Sequence, residues 1–261
     1  MVRRIVAIVL RYLFLYRRSI ARMGEIVFWP IMNLLVWGFT TVYLRRVAVP
    51  SAVVFLIGAI IFWDLFYRAQ QSITLSIGED IWVRNILNLF IAPISVPELI
   101  TAICIFGVIK TLLTTLILAV LAFVLYAFNL LTMGWALLPF FAILLLFGWA
   151  VGLVTMGLSL RYGYAAEALI WGMPFLLQPV SAVFYPVDVL PHWLQYVAVL
   201  LPSTYVFEGM RQVLQEATFS PDMFMRAFGL NIVYLVLGGV FFGWMLHQVR
   251  EKGLLTHLTL E

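Results

Sequence analysis

Charged side chains are rare in this 261-residue chain, which is 64% hydrophobic and 11% charged, so those inside apolar runs are the first candidates for chemistry. Asp64 and Arg68 stand one helical turn apart near the end of such a run. Opposite charges at i and i+4 hold each other cheaply near a bilayer edge, either as a structural clasp or as a functional link. Lys110 lies about 20 Å along an apolar helix counted from its start. A lysine at that depth is a functional candidate unless its stem snorkels the ammonium to an interface. A third group sits in QQSITLSIGEDIWVRNILNLFIAP, residues 70–93, where Glu79, Asp80, Trp82, Arg84, Asn85 and Asn88 are interspersed with isoleucines and leucines. That pattern predicts an amphipathic helix at a membrane surface, kinked near Gly78. Its acidic tip either docks a partner protein or is merely solvated.

Other chemistries lack their residues. There is no GxxxxGK[ST] loop to cradle a nucleotide, no HExxH and no GxSxG elbow. His192, His247 and His257 are scattered, without the carboxylate spacing of a metal site. One cysteine, Cys104, excludes a disulfide framework and a thiolate cluster. An intramembrane enzyme would need a convergent polar constellation, and none is visible. The carboxylate chains of proton-coupled carriers are missing, as are the two similar halves of many secondary carriers. The net charge of +4 does not point to nucleic acid, because most basic residues fall at the ends of apolar runs. A transport device of this composition must take its energy from a partner.

The elements that position these groups are membrane helices. Mean hydropathy is +1.07, far above that of soluble domains. Residues 1–22 do not fit a signal peptide, since Arg11 interrupts the apolar segment and no small-residue cleavage site follows. Arg4, Arg11, Arg18 and Arg22 share one side of a helix within about 40°, with Val2, Val6, Val9, Leu13 and Ile20 opposite. This is a basic amphipathic helix suited to an anionic cytoplasmic leaflet. Six spans follow, near residues 26–44, 52–67, 98–128, 135–160, 168–185 and 226–248. The six arginines of the first 22 residues, with Arg68, Arg84, Arg161 and the basic tail, place both termini in the cytoplasm. Arg45 and Arg46 are a small violation of that trend. Gly148 and Gly152 form one GxxxG, and Gly239 with Gly243 another; both are read as close helix packing.

Between the last two spans, residues 178–215 read QPVSAVFYPVDVLPHWLQYVAVLLPSTYVFEGMRQVLQ. The run breaks at Pro186, Pro191 and Pro202, leaving pieces too short for the roughly 20 residues that a span needs. It is nevertheless too apolar for a free aqueous loop. A pair of short helices dipping back into the membrane satisfies both facts, since broken backbone survives at depth when protein covers it.

Together with EIVFWPIMNLLVWGF, LFIAPISVPELI and RYGYAAEALIW, the block FYPVDVLPHWLQYVAVLLPSTYVFEGMR gives the chain its family likeness. It resembles the membrane subunit of a type-2 ABC exporter over nearly its whole length. The resemblance implies an all-α integral membrane fold: an N-terminal interface helix (1–22), a transmembrane domain (23–252) and a cytoplasmic tail (253–261). It implies ATPase coupling through Glu79, Asp80, Trp82, Arg84, Asn85 and Asn88 in residues 70–93. A re-entrant gate at 186–215 would involve Pro186, Pro191, Trp193, Pro202, Glu208 and Arg211. A substrate path would run by Phe28, Trp29, Asn33, Trp37, Trp171, Phe175 and Gln178, although lipid-facing or packed rings read the same way. The implied assembly is two permease copies with two ATPase subunits in a bacterial inner membrane. ATP and Mg would be held by the ATPases and no cofactor by this chain, which is no enzyme by itself. Cargo would be amphiphilic: a drug, a lipid or a lipid-linked polysaccharide. The alternative is a secondary carrier or channel not coupled to ATP.

Overall fold

The computed structural model describes residues 1–47, 50–83, 85, 91, 93–216 and 218–252. Among these residues the structure is all-helical, with α1 (Val2–Arg17), α2 (Ile20–Val47), α3 (Pro50–Trp82), α4 (Val96–Tyr126) and α5 (Leu137–Tyr162). They are followed by α6 (Glu167–Leu177), α7 (His192–Ala198), α8 (Pro202–Glu216) and α9 (Pro221–Glu251). Four segments are long and apolar enough to cross a bilayer: Ile20–Leu44, Val96–Tyr126, Leu130–Tyr162 and Pro221–Glu251. These are the helices of a multi-pass membrane protein.

Local sequence sets the helix ends. At the start of α4 the backbone N–H and hydroxyl of Ser95 both donate to Glu98, each at 2.9 Å, and a proline sits in the first turn. That is a capping box with proline where its missing N–H costs nothing. The helix closes at Ala127, which takes a left-handed φ of 55° while its N–H returns to the Phe123 carbonyl. Gly134 (φ 53°, ψ −127°) turns the short 3-10 segment Leu130–Ala136 into α5, in a conformation that side chains rarely adopt.

Helix α5 packs chiefly against α3 and α9. At Gly148 an added Cβ would lie 2.6 Å from the Ala69 Cβ, and at Gly152 2.7 Å from the Ile73 Cβ. The first GxxxG is therefore a true close approach of α5 to α3. The second is not: nothing lies within 4 Å of a Cβ at Gly239 or Gly243 among the described residues, and it is Gly238 that meets the Ala150 carbonyl. Buried side chains form two clusters. One gathers Phe62, Phe66, Phe140, Phe147 and Phe207, and the other gathers Ile8, Tyr12, Ile73, Ile77, Leu99 and Phe106.

Two expected elements take another form. The span at 52–67 and the polar stretch after it as far as Trp82 are one helix, α3, of 33 residues that runs through Gly78; most of 84–92 lies outside the described residues. At 1.5 Å per residue it is about 50 Å long, roughly 20 Å more than a hydrocarbon core. Its polar face is buried rather than wetted. The expected span at 168–185 is helical only over the 11 residues of α6, then turns. Eleven residues reach about 16 Å, half a bilayer core.

Candidate functional site

The strongest concentration of interacting charge lies where α1, α3 and α4 meet. Ile8, Tyr12 and Tyr16 recur at helical spacing and bury against Leu99, Ala102, Ile103 and Phe106 of α4. The contacts keep a constant offset of 94 residues. Arg4 pairs with Glu98 at 3.6 Å, Tyr12 stacks on Phe106 at 5.4 Å, and the Lys110 ammonium donates to the Tyr16 hydroxyl at 3.0 Å. A constant offset means that α1 runs parallel to α4, for about 18 Å from Arg4 to Tyr16. The amphipathic helix is thus docked on the protein, with Val2, Val6, Leu10 and Leu13 left exposed.

The opposite flank of α1 receives the acidic end of α3. Arg11 forms an ion pair with Asp80, and Asn85 donates to Asp80 Oδ1 at 2.9 Å. Glu79 meets Arg22 at 3.1 Å and accepts from the Tyr16 hydroxyl at 3.3 Å. Burial pushes the Glu79 carboxyl above its usual range, against the pull of Arg22 and Lys110. Burial, then the Glu79 charge, likewise raises the Tyr16 phenol. Glu79 and Asp80 are therefore no exposed tip, because the arginines and Tyr16 of the N-terminal segment cover them. Trp82 is half-buried at the helix end, and Val83 beyond it is 62% exposed. Arg84 and Asn88 lie outside the described residues.

Further along α3 a polar seam faces α5 and α6. Gln70 donates to the Thr155 hydroxyl at 3.1 Å, Gln71 to the Ile170 carbonyl at 2.9 Å, and Thr74 and Thr155 share a 2.6 Å bond. The oxygens of both glutamine amides are buried without a partner among the described residues. Asp64 and Arg68 face each other at 3.5 Å, both buried. Lys110 does not reach an interface on its own; its ammonium ends over the Tyr16 ring, 5.0 Å from the centroid.

The broken segment after α6 is held by α8. Leu177 and Ser181 continue the turn, and Ala182 takes φ 53° while fully buried. Arg211 reaches back from α8, donating to the carbonyls of Ala182 and Tyr185, the latter at 2.7 Å. It also pairs with Glu208 at 3.0 Å and lies over Phe55 at 4.2 Å. Glu208 in turn accepts from the Val187 N–H at 2.8 Å, and Ser181 and Ser203 bond at 2.8 Å. Pro186, Pro191 and Trp193 are exposed on this cover, whereas Pro202 is buried where α8 begins.

The aromatic path residues do not converge. Trp37 stacks on Phe184 of the broken segment at 4.5 Å, and Phe175 lies 5.9 Å from Tyr67. Phe28 and Trp29 contact each other at 5.4 Å and remain exposed. Asn33, Trp171 and Gln178 are half-buried. Sequence reasoning missed Tyr16, Arg11 and Arg22 as partners of the acidic pair. The signal was present in the Ile8-Tyr12-Tyr16 stripe, whose hydroxyl tip needed a polar neighbour once buried. No protein-family model and no curated protein sequence matches this chain, so the functional reading rests on its own sequence and geometry.

Proposed function

We propose that this chain is the permease subunit of an ATP-driven exporter of the ABC-2 type, moving an amphiphilic cargo (drug, lipid or lipid-linked polysaccharide) out of the cell. In this reading it crosses a bacterial inner membrane six times with both termini cytoplasmic, α6 and the turn after it together making the fifth crossing. It pairs with a second permease and two ATPase subunits, which hold ATP and Mg. The observation that carries the reading is α3. One rigid helix runs from an apolar span, past the buried Gln70–Thr155 seam, to a charged end clasped by α1. Such a lever carries movement of its inner end directly to the spans. The coupling surface is then not Glu79 and Asp80 themselves but what they hold in place, the end of α3 at Trp82 and Val83. The α7–α8 cover, fastened through Arg211, serves as the re-entrant gate.

The buried Asp64–Arg68 pair and Lys110 favour the second reading, a carrier driven by an ion gradient. Isolation of the chain from its native membrane with its associated proteins, followed by reconstitution, separates the two. Export should require ATP hydrolysis by a co-purified ATPase and should fall at least tenfold in Val83→Arg, with α1 still docked. Export that persists with a hydrolysis-dead ATPase and follows an ion gradient would overturn the exporter reading.

A further inference from the structure

A cleft of about 500 Å³ opens at the elbow between α1 and α2, lined by Arg11, Phe14, Leu15, Arg18, Ser19 and Arg22. Two of its three guanidinium groups are engaged from the far side, Arg11 by Asp80 and Arg22 by Glu79. Arg18 is exposed and has no ion-pair partner among the described residues. Ser19 accepts from the Arg22 N–H at 3.4 Å and keeps its own hydroxyl proton to donate. The first turn of α2 leaves the Ile20 and Ala21 N–H groups without a helical partner, while the dipole of α2 is offset by the C-terminal end of α1 at the same elbow. Three arginines against two carboxylates leave one net positive charge, beside an apolar wall of Phe14 and Leu15.

The depth of the cleft suits a lipid. The apolar run Ile20–Leu44 begins immediately after Ser19. That run is 25 residues, or about 37 Å, long enough to cross the membrane from the elbow with a few ångströms to spare at each end. With a hydrocarbon core of about 30 Å, the elbow falls at headgroup level on one face. We propose that this cleft binds the phosphate of an anionic glycerophospholipid headgroup. Arg18, Ser19 and the start of α2 hold the phosphate oxygens, and Phe14 with Leu15 receives the upper acyl chain. The site does not depend on what the protein transports.

The test uses full-length protein reconstituted in vesicles of equal phosphatidylglycerol and phosphatidylcholine, extracted in mild detergent and weighed by native mass spectrometry. The wild-type chain should retain phosphatidylglycerol over phosphatidylcholine. Arg18→Gln should lower that preference about tenfold, which is about 1.4 kcal/mol. Arg17→Gln removes the same charge one residue away, outside the cleft, and should leave the preference intact. An equal loss in both variants would mean that overall surface charge attracts the lipid, and would overturn the site. So would displacement of bound phosphatidylglycerol by millimolar inorganic phosphate, which would show a soluble anion to be the ligand.

Discussion

Arg211 is the single side chain on which the cover over the spans depends most. Replacing it with methionine keeps most of the apolar stem and removes the guanidinium. The Ala182 and Tyr185 carbonyls then lose a charged donor, and Glu208 loses its counter-ion. Hydrogen bonds to a charged group contribute about 1.5–3 kcal/mol each, and breaking a buried pair costs about 3–5 kcal/mol in all. Ala182 also holds a left-handed backbone that costs about 1–2 kcal/mol and persists only while its surroundings enforce it. The expected loss of about 3–4 kcal/mol falls on local opening of the segment between α6 and α8, not on the long helices. Hydrogen exchange of the purified protein reads this directly, through the Val187 amide that donates to Glu208. Three kcal/mol predicts exchange faster by about two orders of magnitude in Arg211→Met, with α5 and α9 unchanged. Exchange at Val187 within about threefold of wild type would refute the idea that Arg211 fastens the cover, as would equal acceleration throughout the chain.

Gly152→Ala should destabilise by about 1–3 kcal/mol through collision with Ile73, whereas Gly243→Ala should be neutral or gain up to about 1 kcal/mol from helix propensity; thermal midpoints in detergent separate them. Tyr16→Phe removes the hydroxyl that joins Lys110 to Glu79, and should loosen α1 by about 1.5–3 kcal/mol, read as faster hydrogen exchange over residues 2–17. Glu79 has a raised carboxyl pKa when folded, so the folded state binds the extra proton. Stability of the fold should therefore fall as pH rises from the ordinary value of 4.5 through the raised one, read from thermal midpoints in detergent, and Glu79→Gln should flatten that slope. A slope unchanged in the glutamine variant would assign the pH response to another group.

The sequence makes some of this legible and hides the rest for identifiable reasons. Pro186, Pro191 and Pro202 mark the broken segment because proline removes a backbone donor wherever it falls. The arginine spacing of the first 22 residues marks the amphipathic character of α1 for a similarly local reason, although the helix ends at Arg17 and Arg22 belongs to α2. What local pattern cannot carry is the identity of the facing surface. Gln70, Gln71 and Thr74 look like a water-facing stripe, and only Thr155 and the Ile170 carbonyl, about a hundred residues on, make them interior. Glu79 and Asp80 look exposed for the same reason, since Arg11 and Tyr16 lie more than 60 residues earlier. The two GxxxG motifs are indistinguishable in sequence, yet among the described residues only the one opposite Ala69 and Ile73 is a contact. Arg211 was legible as part of the hairpin, but its reach back to residues 182–185 was not.

The parallel seating of α1 on α4 has a consequence for biosynthesis. Lys110 and Phe106 emerge from the ribosome 94 residues after the tyrosines they receive. At about 5–20 residues per second the leading helix waits roughly 5–20 s for its seat. Through that interval its tyrosines and valines have only lipid or a chaperone to lie against. Slowed translation between residues 20 and 110 would lengthen the exposure, and the first misassembled product would carry a correct bundle with a stray leading helix.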